Sequence, residues 1–269
     1  MSTTMGDEME GPWPGRVAYR KALISRGYAA TTVAQRLQFL DHLGHDPASV
    51  TREDIEEIIA KPDKTSSRKI YLGVMRLVFE DLISLGVVDE NPCLGIKLPR
   101  SHRGLPRPLS KVQVEAMLQH ERFRIRAWTT LGCYAGLRAM EVVQVEPQHL
   151  MGTDHGWVLH VPRGKGSKEA LIPAHQKVVD LLLAVQPFEG RLWPLKSGYM
   201  SSLWAQAAAE LGLGKLRFHQ CRHFFGTSAL RASGNLLTTR DLLRHSTVAT
   251  TEIYAKVADD AGFQAVAGF

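Results

Sequence analysis

The chain has 269 residues, 44% of them apolar and 22% charged, which suits one large domain or two ordinary ones and excludes disorder over most of its length. Residues 1–100 hold 13 basic and 14 acidic side chains, a net charge of −1. Residues 101–269 hold 20 basic and 13 acidic side chains, a net charge of +7. This local excess of positive charge favours a polyanionic partner.

The three cysteines, Cys93, Cys133 and Cys221, are far apart and form no CxxC pair. Their spacing argues against a disulfide framework or a structural zinc site and for a reducing compartment, so we expect a cytoplasmic protein. Residues 1–12 are acidic, lack the apolar core of a secretion signal and are predicted to be a flexible tail. No uncharged run reaches the ~18 apolar residues of a spanning helix, so no membrane partner is expected.

Residues 13–98 have helical patterning throughout, and no segment there is predicted to be a strand. One helix should begin at Thr51, whose hydroxyl can cap it together with Asp54 three residues on. After Lys69, apolar residues recur at three- and four-residue spacing and form one face of a second helix. The residues of this face are Tyr71, Val74, Met75, Val78, Leu82 and Leu85. We therefore expect a first domain of four or five short helices.

Residues 99–109 are predicted to be a linker, because three prolines and a glycine interrupt helix and strand alike. Basic side chains are concentrated in this linker and directly before it, with no acid among them. They are Lys97, Arg100, Arg103 and Arg107. Two interpretations stay open: a solvated basic linker, or one that follows a phosphate backbone.

Beyond Ser110, a predicted N-cap, helical patterning resumes through about Gln144. Residues 157–161 and 169–172 are β-favouring and flank a glycine-rich turn, which predicts a hairpin. Helical patterning then returns. The expected fold is mainly α with a small β-hairpin or sheet in a second domain, residues 110–258, followed by a tail at 259–269.

Arg138 ends an eleven-residue uncharged run, so we expect its side chain to be partly buried. A buried guanidinium needs an anion, and Glu141, three residues on, lies on the same helical face. Without further information, this pair is explained by a structural ion pair.

His219 and Arg222 are one helical turn apart, so a group that exchanges a proton near neutral pH lies beside a fixed positive charge. His223 follows directly, and packing or capping explains it better than chemistry does. Lys165 lies between two glycines at the predicted hairpin tip, where it can reach a phosphate, although a solvated tip is the plainer explanation. His245 is followed nine residues later by Tyr254, which taken alone suits a half-buried tyrosine.

Together these residues indicate more than each does alone. Two arginines, a lysine and two histidines at one place would suit a phosphate and its pentacovalent transition state, with a tyrosine nearby as nucleophile. The set is Arg138, Lys165, His219, Arg222, His245 and Tyr254. The sequence shows no carboxylate cluster or metal-ligand set for magnesium, so we expect no metal and no cofactor.

The order and spacing of these motifs resemble the tyrosine recombinases, the family of phage integrases and Xer resolvases. The matching segments are Gly136-Leu-Arg138 with Glu141, Gly164-Lys165-Gly-Ser-Lys168, His219-x-x-Arg222-His223, and Leu243-x-His245 with Tyr254. The resemblance implies a SAM-like helical core-type DNA-binding domain at 13–98 and an integrase catalytic domain at 110–258. It also implies a short form without an arm-binding domain.

By this resemblance the chain is a metal- and ATP-independent site-specific DNA recombinase that acts through a 3′-phosphotyrosyl intermediate on Tyr254, for integration or excision of a phage or mobile element. Arg138 and Arg222 would hold the phosphate, and Lys165 would protonate the leaving 5′-oxygen. His219 would act as base and His245 would bind the phosphate, while Glu141 would hold Arg138. The expected partners are double-stranded DNA, three further copies in a tetramer on DNA, and an accessory directionality factor.

One departure concerns Arg244, which stands where the family usually has glycine. Arg244 and Lys168 join the linker cations as expected further DNA contacts. Three alternatives stay open: an Xer-like dimer resolvase, a tyrosine-type DNA topoisomerase, and a DNA-binding regulator without catalysis.

Overall fold

The computed structural model of the protein describes residues 13–44, 46–99, 107–162, 169–185, 189–245 and 251. The chain divides into two compact units, Met1–Arg103 and Gly104–Phe269. The predicted tails, 1–12 and 259–269, lie outside the described residues, as does most of the predicted linker, and the predicted domain limits stay predictions. Within the described ranges, no helix is long and apolar enough to cross a membrane.

The described part of the first unit contains four α-helices, as the helical patterning predicts. They are α1 (Arg16–Ser25), α2 (Ala30–Asp41), α3 (Arg52–Ala60) and α4 (Thr65–Ser84). The predicted cap of α3 is present: Thr51 Oγ1 accepts from the Asp54 N–H at 3.3 Å, and Asp54 Oδ2 accepts from the Thr51 N–H at 2.8 Å.

The apolar face predicted for α4 forms part of the core of the first unit. Met75, Val78 and Leu82 are buried there, and Tyr71 and Val74 pack against the same core. Leu85 does not belong to this face. It is 38% exposed and is the C-cap residue directly after α4, which ends at Ser84.

A buried carboxylate joins three segments of the first unit. Asp81 on α4 accepts hydrogen bonds from the Tyr19 hydroxyl at 3.0 Å, from Arg26 Nη1 at 3.2 Å and from Arg36 Nη1. Arg36 and Asp81 are both less than 10% exposed, and the Arg36 guanidinium stacks 4.2 Å from the Tyr28 ring centroid. Burial and the Asp81 charge raise the pKa of Tyr19, which therefore stays a neutral donor.

The second unit is mainly helical with one small sheet, so the predicted fold class is confirmed. Its helices are α5 (Lys111–Leu118), α6 (Phe123–Tyr134), α7 (Ala139–Val142), α8 (Gln176–Ala184), α9 (Ser197–Glu210), α10 (His219–Ser233) and α11 (Leu236–Leu243). The predicted N-cap of α5 is present, since Ser110 Oγ accepts from the Gln113 N–H at 3.2 Å.

The sheet contains β1 (Leu150–Thr153), β2 (Gly156–Val161) and β3 (Ala170–Pro173), all antiparallel in the order β1-β2-β3. The predicted hairpin corresponds to β2 and β3, and its turn lies outside the described residues. The sequence prediction missed β1, whose four residues include a glycine and show only one buried side chain, Leu150. Leu150, Leu159 and Ile172 lie opposite one another and face the core.

Helix α6 is the centre of the second unit, because its residues from Ile125 to Cys133 are buried almost without interruption. It packs against α5, α8 and α10. Trp204 on α9 donates from Nε1 to Thr129 Oγ1 at 2.9 Å, which satisfies two buried polar groups. At Gly132 a Cβ atom would lie 2.7 Å from Cys221 Cβ, so this glycine lets α10 approach α6 closely.

We predict that Asp81→Asn lowers the free energy of unfolding of the first unit by about 3 kcal/mol, because it leaves the buried Arg36 guanidinium without its anion. Hydrogen exchange of the α2 and α4 amides measures this loss. The control is Arg52→Gln, which removes an exposed pair with Glu56 and should change the free energy by less than about 0.5 kcal/mol. Equal protection in the two variants would contradict the prediction.

Candidate active site

Three segments of the second unit meet at one place. They are the end of α6 with its loop to Arg138, the start of α10 at His219, and the end of α11 with Arg244 and His245. Helix α10 packs against both α6 and α11, so it brings the three together. The cluster therefore depends on contacts between residues about 80 to 110 positions apart in the chain, such as Arg222 with Gly136 and Arg244 with Glu141.

Glu141 is the centre of this cluster and is only 2% exposed. Its Oε1 accepts from Arg138 Nη1 at 2.8 Å, and its Oε2 accepts from the Arg138 backbone N–H and from Arg244 Nη2, each at 2.8 Å. Arg222 Nη1 lies 3.9 Å from Oε2. Burial by itself would raise the pKa of the carboxyl, but the Arg244 charge and the bonds from Arg138 lower it, so Glu141 stays ionised.

The Gly136 carbonyl is a second acceptor shared by arginines. It accepts from Arg222 Nη1 at 2.5 Å and from Arg244 Nη2 at 3.1 Å. Gly136 has φ +60, and a Cβ atom there would lie 2.5 Å from the Phe225 ring. Both the left-handed backbone and the close ring require glycine at this position.

Arg222 is the most buried arginine of the cluster, with 1% of its surface exposed. Its Nη1 donates to the Gly136 carbonyl, and its Nη2 donates to the Leu243 carbonyl at the end of α11. One guanidinium therefore joins the loop after α6 to the end of α11 from its position on α10. The rigid fork of arginine suits this work because its donors point in fixed directions.

Two predicted site histidines, His219 and His245, lie in this positive field. Burial lowers the pKa of His219, and the charges of Arg222 and Arg138 lower it further. Burial and the same two arginines, followed by Arg244 and His219, lower the pKa of His245 to about 4. Both imidazoles are therefore neutral near pH 7 and able to accept a proton.

Each histidine also has a structural neighbour. The His219 and His223 rings meet edge to face, with centroids 4.7 Å apart, and burial followed by His219 and Arg222 lowers the pKa of His223 to about 4. His245 Nδ1 lies 3.0 Å from Thr251 Oγ1. These contacts limit the orientations that the two rings can adopt.

The structure thus brings together six of the residues singled out from the sequence. They are Arg138, Glu141, His219, Arg222, Arg244 and His245. Five others lie outside the described residues. These are Arg100, Arg103, Lys165, Lys168 and Tyr254.

The two remaining candidates are in different units. Lys97 is exposed on the first unit. The backbone carbonyl of Arg107 accepts from Gln220 Nε2 at 2.9 Å, so Arg107 lies near the first turn of α10. Gln220 Oε1 also accepts from the Arg217 N–H at 2.7 Å. The end of the predicted linker is therefore attached beside His219.

The inward contacts of Arg244 were not expected from the sequence. This residue has φ 55 and ψ 42, a left-handed conformation that costs a non-glycine residue about 1 kcal/mol. Its side chain is 11% exposed and bonds Glu141 and the Gly136 carbonyl. The sequence signal that could have indicated these contacts is an arginine at a helix end, where glycine is favoured. A phosphate contact by Arg244 stays a prediction.

The arrangement suits an oxyanion. It combines guanidinium groups held in place with neutral imidazoles that can move a proton. A cavity of about 310 Å³ opens beside His219, but Arg138, Arg222 and His245 do not line it. Ser201, Ser202 and Arg217 also line this cavity. In the part of the chain that the structure describes, no group of three or more His, Cys, Asp or Glu side chains is placed to hold a metal ion.

Comparison with known proteins agrees with this chemistry. A model of the phage integrase family matches residues 107–261, more than half of the chain. The tyrosine recombinase of Thermosipho africanus (strain TCF52B) is 29% identical over 254 residues, 85% of this chain and 88% of that protein. Tyrosine recombinase XerC of Salmonella typhi is 31% identical over 209 residues, 70% of this chain and 68% of that protein.

The solved structure of a lambda integrase tetramer bound to a Holliday junction is 18% identical, with a TM-score of 0.69 over 86% of this chain and 76% of that one, which shows a shared fold. The family match covers the described arginine and histidine cluster as well as the fold around it. The chain therefore belongs to the phage integrase family of tyrosine recombinases.

Proposed function

We propose that this protein is a site-specific DNA recombinase that cuts and rejoins DNA through a covalent 3′-phosphotyrosyl link to Tyr254, in the integration or excision of a phage or mobile element. The observation that carries the proposal is the cluster in which Arg138, Arg222 and two neutral histidines surround one place beside the buried Glu141. Family membership supports the same chemistry.

The two arginines differ in exposure, which suggests a division of work at the phosphate. The Arg138 side chain is 28% exposed and uses Nη1 for Glu141, so its remaining donors are accessible to a phosphate oxygen. Arg222 is 1% exposed and gives two donors to backbone carbonyls. Arg138 thus supplies the accessible fork, and Arg222 supplies a rigid positive charge behind it.

The proposed reaction exchanges one phosphodiester for another. The Tyr254 oxygen forms a bond to phosphorus as the bond to the 5′-oxygen breaks, His219 takes the phenol proton, and Lys165 gives a proton to the leaving oxygen. His245 hydrogen-bonds the phosphate. Because the bond energy is kept in the intermediate, the proposed step requires no ATP. The guanidinium groups and Lys165 would supply the positive charge and the proton for which a metal ion would otherwise be needed.

Recombination also requires partners, and we include them in the proposal. A strand exchange between two duplexes suits four copies on DNA, as in the lambda integrase tetramer bound to a Holliday junction. An accessory directionality factor would decide between integration and excision. The proposed place of action is the cytoplasm, on DNA.

Resolution of DNA dimers is a second candidate, favoured by the 31% identity to tyrosine recombinase XerC of Salmonella typhi. The chemistry at the phosphate is the same in both functions, so the cluster does not distinguish them. Sequencing the DNA beside the gene does. Phage genes with an attachment site would favour integration, and their absence would favour resolution.

The nucleophile is tested with a pool of nicked duplexes of randomised sequence, in which the nick lets the cut fragment diffuse away and traps the covalent adduct. We expect the full-length protein to form an adduct that survives denaturation and whose DNA can be sequenced. Tyr254→Phe should bind the selected duplex within about twofold of the wild type and form no adduct, because it lacks only the hydroxyl. Adduct formation by this variant would disprove the assignment.

Relaxation of plasmids without a selected site would instead favour a topoisomerase, and tight binding without any wild-type adduct would favour a regulator.

The lowered pKa of His219 predicts how cleavage depends on pH. The pKa of His219 in the free protein lies below the ordinary histidine value of about 6.5, so this base stays neutral until the pH falls below that value. The rate of adduct formation at limiting DNA should therefore fall only below pH 6.5. His219→Asn should slow cleavage about 100-fold and remove the contribution of His219 to this fall. Rates between pH 5 and 8 measure both effects. If lowering the pH halved the wild-type rate while the pH was still above 7, the result would contradict the prediction.

Among the described residues of the first unit, Lys97 is well placed to contact a DNA backbone. It is exposed and borders two grooves of about 570 and 550 Å³ on either side of residues 96–98. The arginines there are already engaged: Arg52 pairs with Glu56, Arg68 bonds the Pro62 carbonyl and Arg76 bonds the Ile96 carbonyl.

We therefore predict that Lys97→Ala weakens binding of all DNA sequences alike and reduces the salt slope of log K by about 1, as the loss of one phosphate contact should. The cleavage rate at saturating DNA should stay unchanged. Filter binding between 50 and 200 mM salt measures the slope. Lys21→Ala, an exposed lysine of α1 away from both grooves, is the matched control, and an equal effect of the two variants would count against the assignment.

A further inference from the structure

We infer that Arg244 is a positioning residue that holds His245 at a fixed position relative to the segment that carries Arg138. The inference rests on the proposed function, because it assigns Arg244 a role in the same cleavage step. It differs from the sequence-based expectation, in which Arg244 would contact DNA directly. In the structure Arg244 acts on protein groups, and it does so through two connections, one of backbone and one of side chain.

The backbone connection makes Arg244 and His245 one unit with the end of α11. The Arg244 N–H donates to the Asp241 carbonyl at 2.9 Å, and the His245 N–H donates to the Arg240 carbonyl at 3.0 Å. Arg244 Nη1 also donates to the Leu242 carbonyl at 2.9 Å. His245 is thus attached to a closed helix end, and a group that holds this end also holds the imidazole.

The side-chain connection crosses to a distant part of the chain. Arg244 Nη2 donates to Glu141 Oε2 at 2.8 Å and to the Gly136 carbonyl at 3.1 Å. The same Oε2 accepts the backbone N–H of Arg138 at 2.8 Å. Arg138 and Arg244, the residue next to His245, therefore bond the same oxygen atom. This shared contact fixes the distance between Arg138 and His245, the two groups proposed to bind the phosphate.

The backbone conformation does not by itself account for an arginine at this position. A left-handed residue at a helix end favours glycine, which adopts φ 55 without strain. Arginine adopts this conformation here, and its guanidinium is buried against Glu141. Glycine would relieve the strain but would leave Glu141 with one donor fewer, so the bonds of the guanidinium offset a local cost.

The effect of removing Arg244 should be partial, since a second link remains. Arg222 joins the Gly136 carbonyl to the Leu243 carbonyl and would keep α11 near the loop after α6. Glu141 would keep both of its bonds from Arg138. We therefore expect a looser His245 in a folded protein, and a displacement of this kind slows a reaction without preventing binding.

The test compares three full-length variants on the duplex selected by the wild-type adduct. Arg244→Gly removes the guanidinium and fits the left-handed backbone. Arg244→Lys keeps the charge but loses the fork. Arg240→Ala is the matched control, because it removes a cation from the same helix that pairs only with its neighbour Asp241 among the contacts described. Single-turnover adduct formation, DNA affinity and melting temperature are measured for each.

We expect Arg244→Gly to slow adduct formation about tenfold, with DNA affinity changed less than about twofold. Arg244→Lys should recover part of the rate, to within about threefold of the wild type, because one donor still reaches Glu141. Arg240→Ala should match the wild type in rate. If Arg244→Gly also matched it, the inference would be wrong although the wild-type adduct upheld the proposed function.

A double-mutant cycle with His245→Ala shows which group Arg244 acts through. If it acts by holding His245, then adding Arg244→Gly to His245→Ala should cost less than about twofold. A full tenfold further loss in that background would overturn the inference. If the melting temperature of Arg244→Gly is well below that of the wild type, the same cycle is run with Arg244→Lys instead. Additive losses of rate in that cycle would overturn the inference, and non-additive losses would support it.

The outcomes separate the inference from the proposed function. A wild-type protein that forms no adduct with any duplex of the pool overturns both. A wild-type adduct with additive losses in the cycle overturns only the role of Arg244. Loss of DNA affinity in Arg244→Gly and Arg244→Lys at an unchanged saturating rate would return Arg244 to the direct DNA contact expected from the sequence.

Discussion

The site depends on one buried carboxylate. Glu141 is almost completely removed from water, and a charge in such a place is tolerated only when other charges and hydrogen bonds compensate for it. Arg138, Arg222 and Arg244 do so from three separate segments. Because each guanidinium has a fixed geometry, compensating the charge also determines where the segments lie, and the neutral histidines beside them follow.

A similar device operates in the first unit with a different result. Asp81 is buried and compensated by Arg26, Arg36 and the Tyr19 hydroxyl, which ties three helical segments together. There the described cations are directed at the carboxylate, so the network stabilises the unit. Around Glu141 three arginines face one acid, against two around Asp81, so more positive charge is left uncompensated there. The same physical principle thus stabilises one unit and leaves an excess of positive charge at one place in the other.

The surplus charge also changes the histidines. An imidazole in water is half protonated near pH 6.5, but burial and two nearby arginines favour the neutral form of His219 and His245. A bound phosphate would partly cancel this positive field, and the histidines could then hold a proton. Charge compensation by Glu141 therefore matters twice: it places the guanidinium groups, and it limits the positive field that the histidines experience.

Much of this protein followed from sequence alone, because local patterns have local causes. The helical first unit, the caps at Thr51 and Ser110 and the hairpin before α8 depend on periodicity, hydroxyl caps and β-branched residues a few positions apart. The one-turn spacing of His219 and Arg222 is likewise a property of the helix that contains both. The short strand β1 was missed because its pairing with β2, more than its composition, makes it a strand.

What the tertiary structure alone decided is how the charges are shared. The sequence places Glu141 one turn from Arg138, but only the packing of α10 against α6 and α11 brings Arg222 to the Gly136 carbonyl and turns Arg244 inward. An arginine at a helix end is equally compatible with solvent, DNA or a buried acid. The choice depends on which partner the fold places within hydrogen-bond distance, and that partner lies 103 residues away in the chain.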